Sequence, residues 1–227
     1  MNKRILPIAF LLCLLLAGSC KEETYVYPNV ITEFIDIQTD ESGTITHLMA
    51  DNGKRYAVQP REGLSGLHAD TIYRTVSVYQ FLTEKTNSSE AEVMLYSSKI
   101  VISPYPAKAS EWKDSIYTDP VDIQSIWLSG NYLNLIAEVK RKDQAHAFHF
   151  IEDSISTDSQ GVRTLYLRLF HNSNQDYEAF TNLTYLSAPL RNYQDTLRTG
   201  DKICFRIHTY KEGQTYREFT YLKIPYL

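Results

Sequence analysis

Between residues 131 and 139 every second side chain is apolar. Leu133, Leu135, Ala137 and Val139 share one parity, with Tyr132, Asn134 and Glu138 on the other. A period of two belongs to an extended strand with one buried face, because successive side chains of a pleated backbone point to opposite sides. Leu165, Leu167 and Leu169 repeat the pattern within 163–170, and Ile203, Phe205 and Ile207 repeat it within 202–210. Gly130, Gly161, Gly200 and Gly213 punctuate these runs. Further strands are predicted over 121–128, 147–151, 182–187 and 216–224. Seven strands with one apolar face each predict a sandwich of two antiparallel sheets across residues 117–227.

The preceding region is also extended but less regular. Strands are predicted over 30–38, 44–50, 54–58, 71–82 and 93–102, the last as a central strand apolar on both sides near its end. Asp51-Asn52-Gly53 is the strongest hairpin signal in the chain, since Asn-Gly fits a turn with positive φ at both central residues. In 71–82, Val76 and Val78 share one face, and Tyr73, Tyr79 and Phe81 the other. Five strands opening with a meander of three predict a small barrel or a strongly bent sheet over residues 30–103. Pro104-Tyr105-Pro106 opens a linker at 104–116, because proline cannot donate to a sheet ladder, and one short helical turn is expected within 108–116. Tyrosine, at 17 residues against 9 Phe and 2 Trp, suits strands and half-buried surfaces, so the fold class expected is all-β.

The first 19 residues are an address. Lys3 and Arg4 precede a short apolar run interrupted by Pro7, too short to cross a bilayer as a helix. Ala17-Gly18-Ser19-Cys20 resembles a bacterial lipobox, which implies cleavage before Cys20, lipidation of its sulfur, and a tether at 20–29. Lys21-Glu22-Glu23 resembles the Lys-acidic-acidic signal that carries lipoproteins to the outer face of the outer membrane in one group of Gram-negative anaerobes. Several acyl chains on one cysteine anchor stably, at about 0.8 kcal/mol per buried methylene. Loss of Lys3 and Arg4 with the leader takes the net charge from −4 to −6, which disfavours nucleic acid as a partner. Cys13 leaves with the leader and Cys20 is lipidated, so Cys204 has no disulfide partner and reads as a packed thiol. The fold must then rest on hydrophobic packing.

Tyr25-Val26-Tyr27-Pro28-Asn29-Val30-Ile31-Thr32-Glu33-Phe34, followed by Thr39-Asp40, Gly43 and Asp51-Asn52-Gly53-Lys54-Arg55-Tyr56, resembles the opening of NigD-like lipoproteins. Asp119-Pro120-Val121, Ile126-Trp127, Gly130-Asn131-Tyr132-Leu133-Asn134 and Leu167-Arg168-Leu169-Phe170-His171 extend the resemblance over nearly the whole mature chain. The resemblance implies an OB-like N-terminal barrel, a C-terminal β-sandwich, and an association with bacteriocin operons and immunity. It carries no established catalytic residue.

The mature chain has no Gly-rich phosphate loop, His-Glu-x-x-His, Cys-x-x-Cys or Gly-x-Ser-x-Gly. His146 and His149 stand at odd spacing in an extended segment, on opposite faces, and no further ligands lie nearby, so no metal or other cofactor is expected. Glu33 and Asp36 differ in parity and read as a solvated strand edge rather than a catalytic pair. The candidate binding surface is aromatic: Tyr73, Tyr79 and Phe81 on one strand, with Tyr132 and Asn134 on another, suiting sugar or protein recognition. Thr71, Ser115, Ser154 and Thr196 each sit in an Asp-Ser/Thr-aliphatic triplet resembling a bacterial O-glycosylation acceptor. The function expected is a non-enzymatic binding or accessory role at the cell surface, towards a surface protein or glycan. Bacteriocin immunity is the alternative, and an uncharacterised hydrolase ranks third.

Overall fold

The computed structural model describes residues 29–83, 90–113 and 115–224. Cys20, the Lys21-Glu22-Glu23 triplet and Asp114 lie outside the described residues. Five strands form the first unit: β1 (Ile31–Thr39), β2 (Ile45–Met49), β3 (Arg55–Val58), β4 (Ile72–Thr83) and β5 (Ala91–Ile100). They close into a barrel in the OB-like order β1-β2-β3-β5-β4, with β4 pairing back onto β1. Within the barrel, among the described residues, β3 and β5 pair in parallel and the other pairs are antiparallel. Ile35, Ile37, Leu48, Tyr79, Val93 and Leu95 fill the interior, and Leu64 packs in from the loop between β3 and β4. Each such side chain contributes about 1.5–3 kcal/mol by leaving water.

Eight strands form the second unit: β6 (Ala107–Lys108), β7 (Asp122–Ser129), β8 (Tyr132–Arg141), β9 (Ala147–Thr157), β10 (Arg163–Asn172), β11 (Phe180–Pro189), β12 (Lys202–Thr209) and β13 (Gly213–Thr220). A five-stranded sheet, β13-β12-β10-β9-β6, faces a three-stranded one, β11-β8-β7. The alternating residues of β8, β10 and β12 meet in one core with Phe150 and Leu186. The sandwich is not wholly antiparallel. β10 pairs β12 in parallel because the chain visits the opposite sheet through β11 before returning, and β6 adds to β9 in parallel.

The barrel docks on the outer face of the three-stranded sheet. This explains a run that alternation alone would not produce: Phe34, Ile35, Asp36 and Ile37 are all buried. Ile35 and Ile37 face the barrel interior, while Phe34 and Asp36 face the second unit. The chain leaving the barrel is stitched to β11, where Ile102 donates to Tyr185 O at 3.1 Å and Ser187 donates to Ile102 O at 3.0 Å. The expected helical turn is a single turn, with Trp112 N donating to Lys108 O at 3.1 Å.

Three local expectations are corrected. β5 is buried only in its first half, and Tyr96 and Ile100 near its end are exposed, so its end is not a central-strand end. Gly53 has φ +84 but Asn52 is not in the left-handed region, so the hairpin is a turn over residues 50–53 that ends on a left-handed glycine. Gly53 N donates to Ala50 O at 2.9 Å, and Asn52 Oδ1 accepts from Lys54 N at 3.0 Å. Asp36 is not on a solvated edge. It is 4% exposed, because the docked sheet covers it.

Candidate binding cleft

Arg74 organises the seam between barrel and sandwich. Its parity on β4 places it outward from the barrel, opposite Asp36 of β1. It is buried there and uses all five N–H donors. Nη1 donates to Asp36 Oδ1 at 3.2 Å and Asp51 Oδ1 at 2.6 Å, and Nη2 donates to Asp51 Oδ2 at 2.8 Å and Asn134 Oδ1 at 3.1 Å. Nε reaches Ser187 Oγ at 3.3 Å. The Tyr132 ring stacks 3.9 Å from the guanidinium carbon, and its hydroxyl donates to Asp36 Oδ2 at 3.0 Å. Arg191 adds a second cation at 3.3 Å from that oxygen. Burial pushes the Asp36 carboxyl above its usual range despite the cations beside it. Burial opposes the charge of Arg74, but its bonds to Asp51 and the field of both carboxylates outweigh that and raise it. The Tyr132 phenol is driven up by burial and by Asp36, so it stays a donor.

Two hairpins meet beside this network. A Cβ on Gly130, between β7 and β8, would lie 2.7 Å from Asp51 O and 2.9 Å from Asp51 Cβ, and Gly130 has φ +58. Only glycine allows this approach at this backbone conformation. It holds Asp51 against Arg74.

The same seam opens into a cleft of about 490 Å³. Phe34, Trp127 and Tyr185, from β1, β7 and β11, form its aromatic side. The Phe34 and Trp127 rings meet edge-to-face at 5.1 Å, and Phe34 lies 6.0 Å from Tyr185. Thr32, Asp51, Asn52, Gln124 and Ser129 supply the polar side, whereas the Glu33 side chain has the inward parity of Ile35 and Ile37. Gln124 is the extra residue where the β7–β8 register slips, and a bulge of this kind re-aims a side chain. Glu33 Oε1 accepts from the Tyr79 hydroxyl at 2.6 Å. Burial and that carboxylate raise the Tyr79 phenol well above its usual range, so it too remains a donor. The Lys99 ammonium lies 4.8 Å over the ring of Tyr185, at the edge of the cleft. Both oxygens of Asp51 are occupied by Arg74, so the arrangement is suited to holding a ligand by stacking and hydrogen bonds. A wider depression of about 860 Å³ lies beside Tyr56 and Phe81.

The aromatic residues singled out from sequence do not form an exposed surface. Tyr79 is 2% exposed inside the barrel, and Tyr73 and Phe81 pack against the same core. Alternation separates two faces of β4 without saying which is inward, and the aromatic face is the inner one. Tyr132 and Asn134 do share a face, but it is the one the barrel covers, and both are buried in the Arg74 network. Sequence reasoning missed Phe34, Trp127, Tyr185 and Arg74. Their outward parity was available, but not the docking that gives it meaning. Of the acceptor triplets, Ser115 and Ser154 are exposed, whereas Thr71 and Thr196 are half-buried.

A second polar cluster lies elsewhere in the sandwich. His171 Nδ1 donates to Asp119 O at 2.9 Å, and its Nε2 lies 2.9 Å from His146 Nδ1, whose Nε2 faces Asp176 at 3.2 Å. Phe148 stacks on His171 at 4.5 Å. Burial lowers the His171 imidazole to about 4, so it is neutral. His149 packs instead on Trp112 at 4.9 Å, away from His146. Among the described residues no three His, Cys, Asp or Glu side chains are grouped to hold a metal ion.

The profile of the NigD-like C-terminal beta sandwich domain matches residues 103–221. A solved NigD-like immunity protein from Bacteroides caccae is 33% identical, with a TM-score of 0.68, covering 86% of this chain and 94% of that one. A protein of unknown function from Bacteroides vulgatus is 19% identical, with a TM-score of 0.67, covering 88% of this chain and 96% of that one. A lipoprotein candidate from Bacteroides fragilis is 14% identical, with a TM-score of 0.61, covering 87% and 100%. No curated protein matches. The last two likenesses speak to fold alone. Among the described residues no helix is long and apolar enough to cross a membrane.

Proposed function

The chain belongs to the NigD-like family, and from that premise we propose that it is a lipid-anchored, non-enzymatic binding protein of the outer membrane, facing the cell exterior, that engages a surface protein or glycan through the seam cleft. The observation that carries this reading is the convergence of Phe34, Trp127 and Tyr185 with a polar rim, on two units locked together by Arg74. Binding sites combine an apolar wall with a few placed polar groups on a rigid support. The anchoring rests on Ala17-Gly18-Ser19-Cys20, and the outward orientation on Lys21-Glu22-Glu23.

A photo-reactive side chain at Asn52, exposed on the cleft rim, tests the binding reading in cells. The same probe at Tyr216, exposed on β13, is the control. A product specific to position 52 is expected. Equal labelling from both positions, or none from either, would refute it. Protease shaving of intact cells tests the orientation, with loss of the protein as the expected result.

The name of the Bacteroides caccae relative favours a second reading, protection against a bacteriocin. A deletion strain challenged with toxins of neighbouring strains separates the two. Restored sensitivity that the intact gene cures would establish protection, and unchanged growth is expected if the protein acts as a binding module.

A further inference from the structure

We propose that the outer face of the five-stranded sheet carries a second site, which takes a small organic acid with one carboxylate. Arg168 and Arg206 bind the carboxylate, and Tyr166 and Tyr216 flank the body attached to it. The site lies on the opposite side of the sandwich from the seam cleft, so it stands independently of the cleft reading. Three observations carry it.

Placement comes first. Leu165, Leu167, Ile203 and Phe205 point into the sandwich core, so Tyr166, Arg168, Cys204 and Arg206 point out of it. Arg168 and Arg206 stand side by side on the parallel pair of β10 and β12, and Tyr216 stands opposite Arg206 on β13. Asp153 is the residue that the β9–β10 register skips, and this bulge aims its carboxylate at both guanidinium groups. Further along the same face, Trp112 and Tyr117 pack on Phe170. Around the arginines the face instead forms a depression of about 340 Å³, a size within the range of small-ligand sites. Cys204 lies in it. Burial and the nearby Glu218 carboxylate hold that thiol above its usual range, so it adds no charge.

Charge comes second. Like charges set side by side on neighbouring strands repel. Among the described residues both arginines pair with the same carboxylate, Asp153, so the trio keeps one excess positive charge. Lys202, on the same face of β12, is matched by Glu218. The donor inventory comes third. Arg168 gives Nε and Nη2 to Asp153 Oδ1, and Arg206 gives Nη2 to Asp153 Oδ2 at 3.0 Å. Neither Nη1 makes a hydrogen bond among the described residues, although each carries two N–H donors. Arg206 Nε is buried with no acceptor among the described residues, so its guanidinium is under-satisfied. Two planar forks with spare donors and one excess charge match a single carboxylate, which completes the neutralisation. A phosphate dianion would overshoot that charge beside Asp153. The Tyr166 ring and the exposed Tyr216 ring offer apolar area to the rest of the acid.

The test uses the full mature chain in detergent with isotope-labelled arginine, whose Nε–H resonances are followed by nuclear magnetic resonance. The probes are benzoate, its neutral counterpart benzamide, inorganic phosphate, and sodium chloride as the ionic-strength control. Benzoate should saturate with a dissociation constant at or below about 1 mM and shift the Arg168 and Arg206 resonances. Benzamide should leave them in place, and phosphate should bind more weakly than benzoate. Arg206→Gln should weaken benzoate by at least about tenfold, as for loss of a hydrogen bond to a charged group. Because that change also breaks an ion pair, Tyr216→Ala is the second variant, exposed and outside the trio, with several-fold weakening and an unchanged urea midpoint expected. Asp153→Asn removes the carboxylate that opposes a second negative charge, so it should reverse the preference and favour phosphate. The proposal is overturned if benzamide or sodium chloride reproduces the benzoate shifts, or if the unaltered chain prefers phosphate. It is equally overturned if benzoate does not saturate, or if Asp153→Asn leaves the order of the two anions as it was.

Discussion

Replacing Arg74 with methionine keeps the aliphatic stem and removes the guanidinium. Five hydrogen bonds disappear at once, three of them to carboxylate oxygens. Asp36, whose side chain is 6% exposed, loses its nearest cation and cannot recover water. Removing one partner of a buried ion pair costs about 3–5 kcal/mol, because the other charge stays buried and unpaired. Two features reduce this. Asp51 is 13% exposed and can rehydrate, and Asp36 keeps Tyr132 and Arg191. The expected loss is therefore near the lower end, about 3 kcal/mol at pH 7. Urea unfolding measures it, followed through near-ultraviolet circular dichroism and Trp127 emission. The loss should shrink as pH falls. The Asp36 carboxyl is already raised by burial, and deleting Arg74 raises it further, so acid neutralises the orphan charge in the variant before the pH reaches the usual carboxylate range. A second change, Asp36→Leu, should return part of the lost stability by removing that charge. A loss below about 1 kcal/mol, the scale of an exposed ion pair, would refute the buried-clamp argument. So would a double variant no more stable than Arg74→Met alone.

Gly130→Ala should destabilise by about 2–4 kcal/mol, combining a left-handed residue with overpacking against Asp51, while Gly161→Ala, at φ +84 in open space, should lose only about 1–2; paired denaturant titrations compare them, and equal losses would refute the hairpin contact. His171 is neutral in the fold at about 4 against 6.5 in the open chain, so the unfolded state binds the extra proton between those values. Stability contributed by this group is complete above pH 6.5 and falls by about 3 kcal/mol towards pH 4, a slope that His171→Gln should remove from the urea midpoints. Tyr79→Phe should lose about 1.5–3 kcal/mol in thermal unfolding, the value of a bond to a carboxylate, without altering the barrel. Leu135→Ala, fully buried between the sheets, should lose about 2–5 kcal/mol by the same measurement.

Several features were readable from the chain because their causes are local. The alternation in 131–139, 163–170 and 202–210 marks β8, β10 and β12 with the correct inward face, since one face of each meets the sandwich core. Asp51-Asn52-Gly53 marks a hairpin, because glycine there supplies the left-handed residue that the turn requires. His146 and His149 do lie apart, but His146 precedes β9 and bonds His171 while His149 on β9 packs on Trp112, so strand parity alone is not the cause.

What the tertiary structure decided is everything that depends on two distant surfaces meeting. Parity divides β4 into two faces, but closure of the barrel is what turns Tyr79 and Phe81 inward and leaves Arg74 and Val76 outward. Asp36 and Arg74 look like ordinary surface charges in sequence, 38 residues apart, and Asn134 is a further 60 from Arg74. They become a buried network only because the barrel docks on the three-stranded sheet. The cleft has the same origin. Phe34, Trp127 and Tyr185 come from three strands in two units, and no local pattern encodes a contact whose free energy arises from excluding water between separate folded surfaces. The sequence by itself determined the strands, their faces and the all-β class, whereas docking decided which of those faces would become a site.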